Sequence, residues 1–152
     1  PKFKEDEGVL IYNNECKIKL NVDELSKNNL FSEKLHTDIV NEIINTVKLF
    51  DKNKTKIIFN FIPNTITVYR DKFNESSKYI SGHDIMVASS KNLKNFLKKI
   101  NIDYIDLTPQ LKIVAKNTPL HYCSGNNAHF NNKGNKIYTK LLAESILILE
   151  NN

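Results

Sequence analysis

Arginine is nearly missing from this chain: Arg70 is the only one, although lysine and arginine together number 22. Proteins that read phosphate favour arginine, whose planar fork matches the anion. No clustered arginine–aromatic pattern of the kind single-strand binders use is present either. The net charge of +5 and the pI near 9.1 are therefore read as scattered lysine in a composition rich in Lys, Asn and Ile. No nucleic-acid partner is expected. Glycine is scarce, at four residues, and no Gly-rich phosphate loop is formed, which leaves a nucleotide- or phosphate-binding α/β domain the weakest reading. Cysteine is limited to Cys16 and Cys123, with no Cys-x-x-Cys. That excludes a disulfide framework and a zinc site. Two separate thiols are expected, with a single bridge the alternative if the protein is exported. No cofactor or metal site is expected. No apolar run approaches a membrane span, and no signal-peptide pattern is seen.

What is present suits one domain over residues 1–152. The chain is 40% hydrophobic and 26% charged, ordinary for a globular fold with a real core. It opens on Pro1 rather than Met, and is expected to be the C-terminal portion of a longer domain. Val9–Tyr12 is a short apolar run. Cys16, Ile18, Leu20 and Val22 then alternate with polar residues, the period of a half-exposed strand. The two runs are expected to pair as a hairpin.

From Ser32 to Phe50 the period changes. Leu35, Ile39, Val40, Ile43, Ile44, Val47 and Phe50 recur at three- and four-residue steps, predicting a core-facing helix over 34–50 with Ser32 as its cap. Lys56 to Ile62 is nearly continuous apolar sequence stopped by Pro63, as a central parallel strand would be. Residues 65–90 are mixed and long for a loop, so a short helix or a functional segment is expected there. A helix over 91–100, a second strand over 101–107, a short helix near 110–117 and a final helix over 136–149 follow. Tyr138, Leu141, Leu142, Ile146 and Leu149 should face inward on the last of these. Alternation of this kind implies a parallel sheet with helices on both faces. Ligands bind such sheets at the C-terminal strand ends, where Pro63-Asn64, Thr108 and the loop before the last helix should lie.

That loop, residues 121–135, carries His121 and His129, two of the four histidines, and two of the four glycines. A histidine just ahead of a helix is suited to general base work. To act on an ester it needs a hydroxyl nucleophile within reach and an acceptor on its other ring nitrogen. A carboxylate two or three positions upstream could serve that nitrogen; this chain has Asn127 and Asn126 there.

Asn127-Ala128-His129-Phe130-Asn131-Asn132-Lys133-Gly134-Asn135 resembles the last conserved block of the SGNH (GDSL-type) hydrolases. That block reads Asp-x-His or Asp-x-x-His, then commonly an Asn, then a Gly, then the closing helix. Ile57 to Pro63 resembles the family strand that ends in proline, and Asn101 to Thr108 the strand that precedes the block. The resemblance covers roughly Leu35 to Leu149. It implies a three-layer α/β/α flavodoxin-like sandwich with a parallel sheet, incomplete here at its N-terminal side. It also implies ester hydrolysis or acyl transfer on a carbohydrate- or lipid-type acyl ester, and a full-length protein that is exported or membrane-tethered. His129 matches the catalytic base, and Asn127, or else Asn126, the aspartate. The family's serine nucleophile and oxyanion-hole blocks have no counterpart here, and are expected upstream of Pro1. Asn brings no charge to the imidazolium, a loss that costs about 10⁴-fold in a serine triad. The alternative is a catalytically inactive domain of the same kind that binds a glycan or protein partner.

Other candidates weigh less. His36 and His121 are read as surface residues. His83 lies in the long middle segment. Cys123-Ser124 lacks the sharp strand-to-helix turn of a nucleophile. Asp106 is read as the turn or cap residue that ends its strand, and Asn131 as an N-cap or loop brace.

Overall fold

The computed structural model describes residues 2–4, 9–12, 16–19, 33–51, 53–73, 78–123 and 129–151. At its centre β4 (Ile58–Phe61) and β5 (Asp103–Asp106) pair in parallel, from Ile58 opposite Asp103 to Phe61 opposite Asp106. Successive residues of a strand face opposite sides, so the apolar run is split between two cores. Phe59, Phe61 and Tyr104 face Ile43 and Val47 of α1 (Glu33–Lys48) and Leu97 of α3 (Lys78–Lys99). Ile58 and Ile105 face the other way. They pack with Leu111 and Ala115 of α4 (Thr108–Ala115) and with Tyr138, Leu141, Leu142, Ile146 and Leu149 of α5 (Asn132–Glu150). The expected parallel neighbours and the inward stripe of the last helix are thus both present.

The fold is mixed α/β, with a second sheet beside the parallel pair. In it β1 (Lys2–Lys4), β2 (Val9–Tyr12) and β3 (Cys16–Lys19) are antiparallel in the order β1-β2-β3. Leu10, Tyr12, Cys16 and Ile18 all point into the core that contains α5, as their alternation requires.

Two stretches differ from the sequence reading. α3 starts at Lys78 rather than near Lys91. The polar Ser81-Gly82-His83-Asp84 looks loop-like, but no proline interrupts it, and extending a helix costs far less than nucleating one. The mixed segment before it holds the expected short helix, α2 (Thr65–Val68), capped by the Asn64 side chain, which accepts from Thr67 N at 2.8 Å. Among the described side chains of the α1 stripe, Ile43 and Val47 are buried, while Ile39, and Phe50 just past the helix end, stay exposed. Ser32 lies outside the described residues.

α3 ends on Asn101, at φ 55°. The Ile102 amide donates to Leu97 O and the Asn101 amide to Lys98 O. This paired pattern closes a helix through one left-handed residue, a conformation asparagine tolerates. It turns the chain directly into β5, with Ile102 packed in the same core as Leu97.

The expectation of two separate thiols is wrong. Cys16 and Cys123 form a disulfide, with Cα atoms 4.7 Å apart and a sequence separation of 107. Sequence distance is silent on this proximity, which arises because the Lys17 amide donates to Cys123 O at 3.3 Å and lays the loop along β3. The bridge therefore ties the antiparallel sheet to the segment that leads to His129. Closing so long a loop restricts the unfolded chain strongly, so the Cys16→Ser/Cys123→Ser double variant should lose about 2–5 kcal/mol of stability. Denaturant titration of the variant, and of the wild type with and without reductant, measures this. Reductant should lower the wild type to the variant's midpoint and leave the variant unchanged.

Candidate functional site

Asn131 builds the end of the His129 loop. It is the N-cap of α5, and its Oδ1 accepts from Gly134 N at 2.8 Å. Its Nδ2 donates to Pro119 O at 3.0 Å and His121 O at 2.8 Å, while its backbone amide donates to Leu120 O at 2.9 Å. One side chain thus fastens the helix start to the segment 119–121 and acts as both cap and brace. Gly134 completes the fit, because a Cβ there would lie 2.0 Å from Leu120 O. The Asn and Gly of the motif are therefore a packing device that sets where α5 begins.

His129 stands two residues ahead of that cap and is exposed. Its carbonyl accepts from Tyr122 N at 3.3 Å, and His121 and Phe130 form an antiparallel bridge. Asn126, Asn127 and Ser124 lie outside the described residues. His36 and His83 lie within α1 and α3, and their side chains are outside the described set too. Cys123, in its disulfide, has no thiol to offer as a nucleophile.

His121, expected at the surface, is only 1% exposed. Its ring lies 5.3 Å from that of Tyr69 and 4.7 Å from that of Phe130, with Nδ1 3.2 Å from the Tyr69 hydroxyl. That hydroxyl also accepts from Leu120 N at 3.0 Å. Burial, and then the charge of His129, lower the His121 pKa to about 4. At neutral pH the ring beside His129 is therefore uncharged. The stack continues through Phe130 to Tyr138, 5.4 Å away, whose hydroxyl accepts from Asn60 of β4. The loop is in this way anchored to the α5 face of the sheet.

Past the C-terminal ends of β4 and β5 lies a cavity of about 720 Å³. Pro63, Asn64 and Thr108 line it, as the strand-end argument expects, but His129 does not. It opens on the α3 face. Phe61 and Tyr104 form its floor, with rings 5.8 Å apart and edge to face. Asp106 closes one side. It is bonded to Lys94 Nζ, to Thr108 N at 3.0 Å and to Thr108 Oγ1 at 2.5 Å. Burial pushes the carboxyl up, but the bonds from Lys94 and Thr108 outweigh it and hold the pKa below the usual value. Asp106 is thus the turn residue it was read as, and also part of a lined cavity. The lysines of α3 gave no sequence signal of this, since only the fold brings them over the strand ends. Among the described residues no three His, Cys, Asp or Glu side chains gather as a metal site, and no helix is long and apolar enough to cross a membrane.

Two outcomes follow from this geometry. Between pH 6.5 and about 4 the unfolded chain protonates His121 while the folded chain does not. Stability is therefore full above pH 6.5 and falls as the pH drops, by on the order of 3 kcal/mol once pH 4 is passed. Denaturation midpoints across this range should lose that component in His121→Phe. Gly134→Ala must push Leu120 or α5 aside, and should lower stability by about 1–3 kcal/mol in the same assay. Comparison of the chain with protein-family models, with curated proteins and with solved structures finds no match.

Proposed function

We propose that this chain is the C-terminal portion of an SGNH-like hydrolase that cleaves or transfers the acyl group of a carbohydrate- or lipid-type ester. The observation that carries the reading is the Asn131–Gly134 brace, which presents an exposed His129 at the head of α5 after two parallel strands. His129 acts as general base, taking the proton of a serine hydroxyl supplied by sequence upstream and returning it to the leaving oxygen. In the sequence, Asn127 takes the motif position of the family's carboxylate, the group that orients the second ring nitrogen. Its side-chain oxygen can accept that N–H, without adding charge. The neutral His121 favours the scheme, because it sets no second cation against His129 when the latter becomes imidazolium.

The layers agree with this reading. α1 and α3 cover one face of the parallel pair, and α4 and α5 the other. In the proposal, further parallel strands from the upstream sequence complete a flavodoxin-like sandwich. The Cys16–Cys123 disulfide supports an exported or membrane-tethered protein, since such bridges persist in oxidising compartments. A second reading is an inactive domain of the same kind that binds a glycan or protein partner. It is favoured by the cavity at the strand ends, which His129 does not line.

Turnover of a short acyl ester by the full-length protein separates the two. With His129 as base, His129→Ala should lower kcat/KM by about 10³-fold or more with the fold intact. Asn127→Asp should maintain or raise the rate, because it restores charge opposite the imidazolium. Equal turnover without His129 removes the hydrolase reading of this loop. No turnover in the wild type or in Asn127→Asp favours the binding domain.

A further inference from the structure

We propose that the cavity between α3 and the C-terminal ends of β4 and β5 is a binding site for an amphiphilic anion, a single hydrocarbon chain with a phosphate monoester or carboxylate head. The site is a property of this chain's own residues and does not depend on whether His129 acts on an ester.

Four observations lead to that chemistry. The first is size: about 720 Å³ falls in the range of small-molecule sites. The second is the apolar mouth. Ile39, Ile62 and Val87 line the cavity and are 37%, 67% and 43% exposed. They come from α1, the end of β4 and α3, three separate elements converging on one opening. Apolar residues gathered around a concavity mark a binding surface, whereas the same residues scattered singly would not.

The third is charge. Lys91, Lys94, Lys98 and Lys112 line the cavity against one carboxylate, Asp106, which is bonded to Lys94. Lys112 lies 3.7 Å from Asp71, but that aspartate is 59% exposed, and exposed pairs of this kind are weak. The cavity is thus cationic, and its own carboxylate does not neutralise it. The fourth observation decides between an anion and a neutral sugar. A sugar ring would stack on an open aromatic face. Here Lys94 Nζ sits 5.1 Å from the centroid of Phe61 and Lys98 Nζ 5.9 Å from that of Tyr104. Both floor rings already carry an ammonium group, that of Lys94 being bonded to Asp106 as well, so neither ring offers an open face to a sugar. Hydrocarbon on the walls and ammonium groups over the floor fit a chain with an anionic head.

The test is calorimetric titration of the full-length protein with decyl phosphate below its micelle concentration, beside decanol and inorganic phosphate. Decyl phosphate should bind at least about tenfold more tightly than decanol, a difference of about 1.4 kcal/mol. Inorganic phosphate should not bind measurably. Lys91→Gln and Lys98→Gln should each weaken decyl phosphate about three- to fivefold, as exposed charge contacts do, and leave decanol unchanged. Ile62→Asp, at an exposed position, should weaken both. Unchanged thermal midpoints confirm that the variants fold. Co-sedimentation with phosphatidic-acid vesicles, together with decyl phosphate binding, identifies membrane lipid as the source. Decyl phosphate binding without co-sedimentation identifies a soluble amphiphile, and either supports the site. Equal affinity for decanol and decyl phosphate, binding of inorganic phosphate as tight as that of decyl phosphate, indifference to both lysine variants, or no binding at millimolar ligand overturns it. Ester turnover enters none of these measurements, so failure here leaves the hydrolase reading to its own test.

Discussion

The parallel pairing of β4 with β5 is the constraint on which the other contacts depend. Because side chains alternate along each strand, this register sends Phe59, Phe61 and Tyr104 to one side and Ile58 and Ile105 to the other. Two separate cores result, each needing its own helices. α1 and α3 close the first, and α4 and α5 the second. The same pairing places Pro63 and Thr108 side by side at the strand ends, where the backbone leaves the sheet and a cavity opens. Asn101 supports the register from behind, since its left-handed backbone turns α3 into β5 within one residue.

Residues 121–123 and 129–131 are held by several independent contacts. The disulfide fixes Cys123 to β3, the Asn131 side chain fixes the head of α5 to residues 119–121, and the buried His121 ring fills the space between Tyr69 and Phe130. His129 is consequently an exposed side chain on a restrained backbone. That combination suits a group that must meet a ligand in one geometry. Burying a neutral imidazole next to it costs stability only in acid, where His121 would have to take up a proton.

The His129 loop and the cavity sit on opposite faces of the sheet. The loop is anchored through Phe130 and Tyr138 on the α5 side, while the cavity is floored by Phe61 and Tyr104 on the α3 side. Asp106 belongs to the cavity but is felt across the sheet at Tyr138. It lines the cavity, and its charge raises the Tyr138 pKa after the larger effect of burial, against the bond from Asn60.

Sequence alone determined the elements whose pattern is local. The runs at Val9–Tyr12 and Ile58–Phe61, and the alternating Asp103–Asp106, are strands because β-branched and aromatic residues there meet turn or proline signals within a few positions. The stripe from Tyr138 to Leu149 is a helix face because its spacing matches the helical period. Asn131 was legible as a brace because an asparagine three residues before a glycine at a helix start has a local partner to cap. Tertiary structure decided whatever depends on two distant segments meeting. The Cys16–Cys123 bridge, the burial of His121 and the gathering of the α3 lysines over Phe61 and Tyr104 leave no trace in local spacing. An isolated cysteine, histidine or lysine looks the same in sequence whether it faces water or a partner from the far end of the chain. Only the folded arrangement of β3, β5 and α3 settles which.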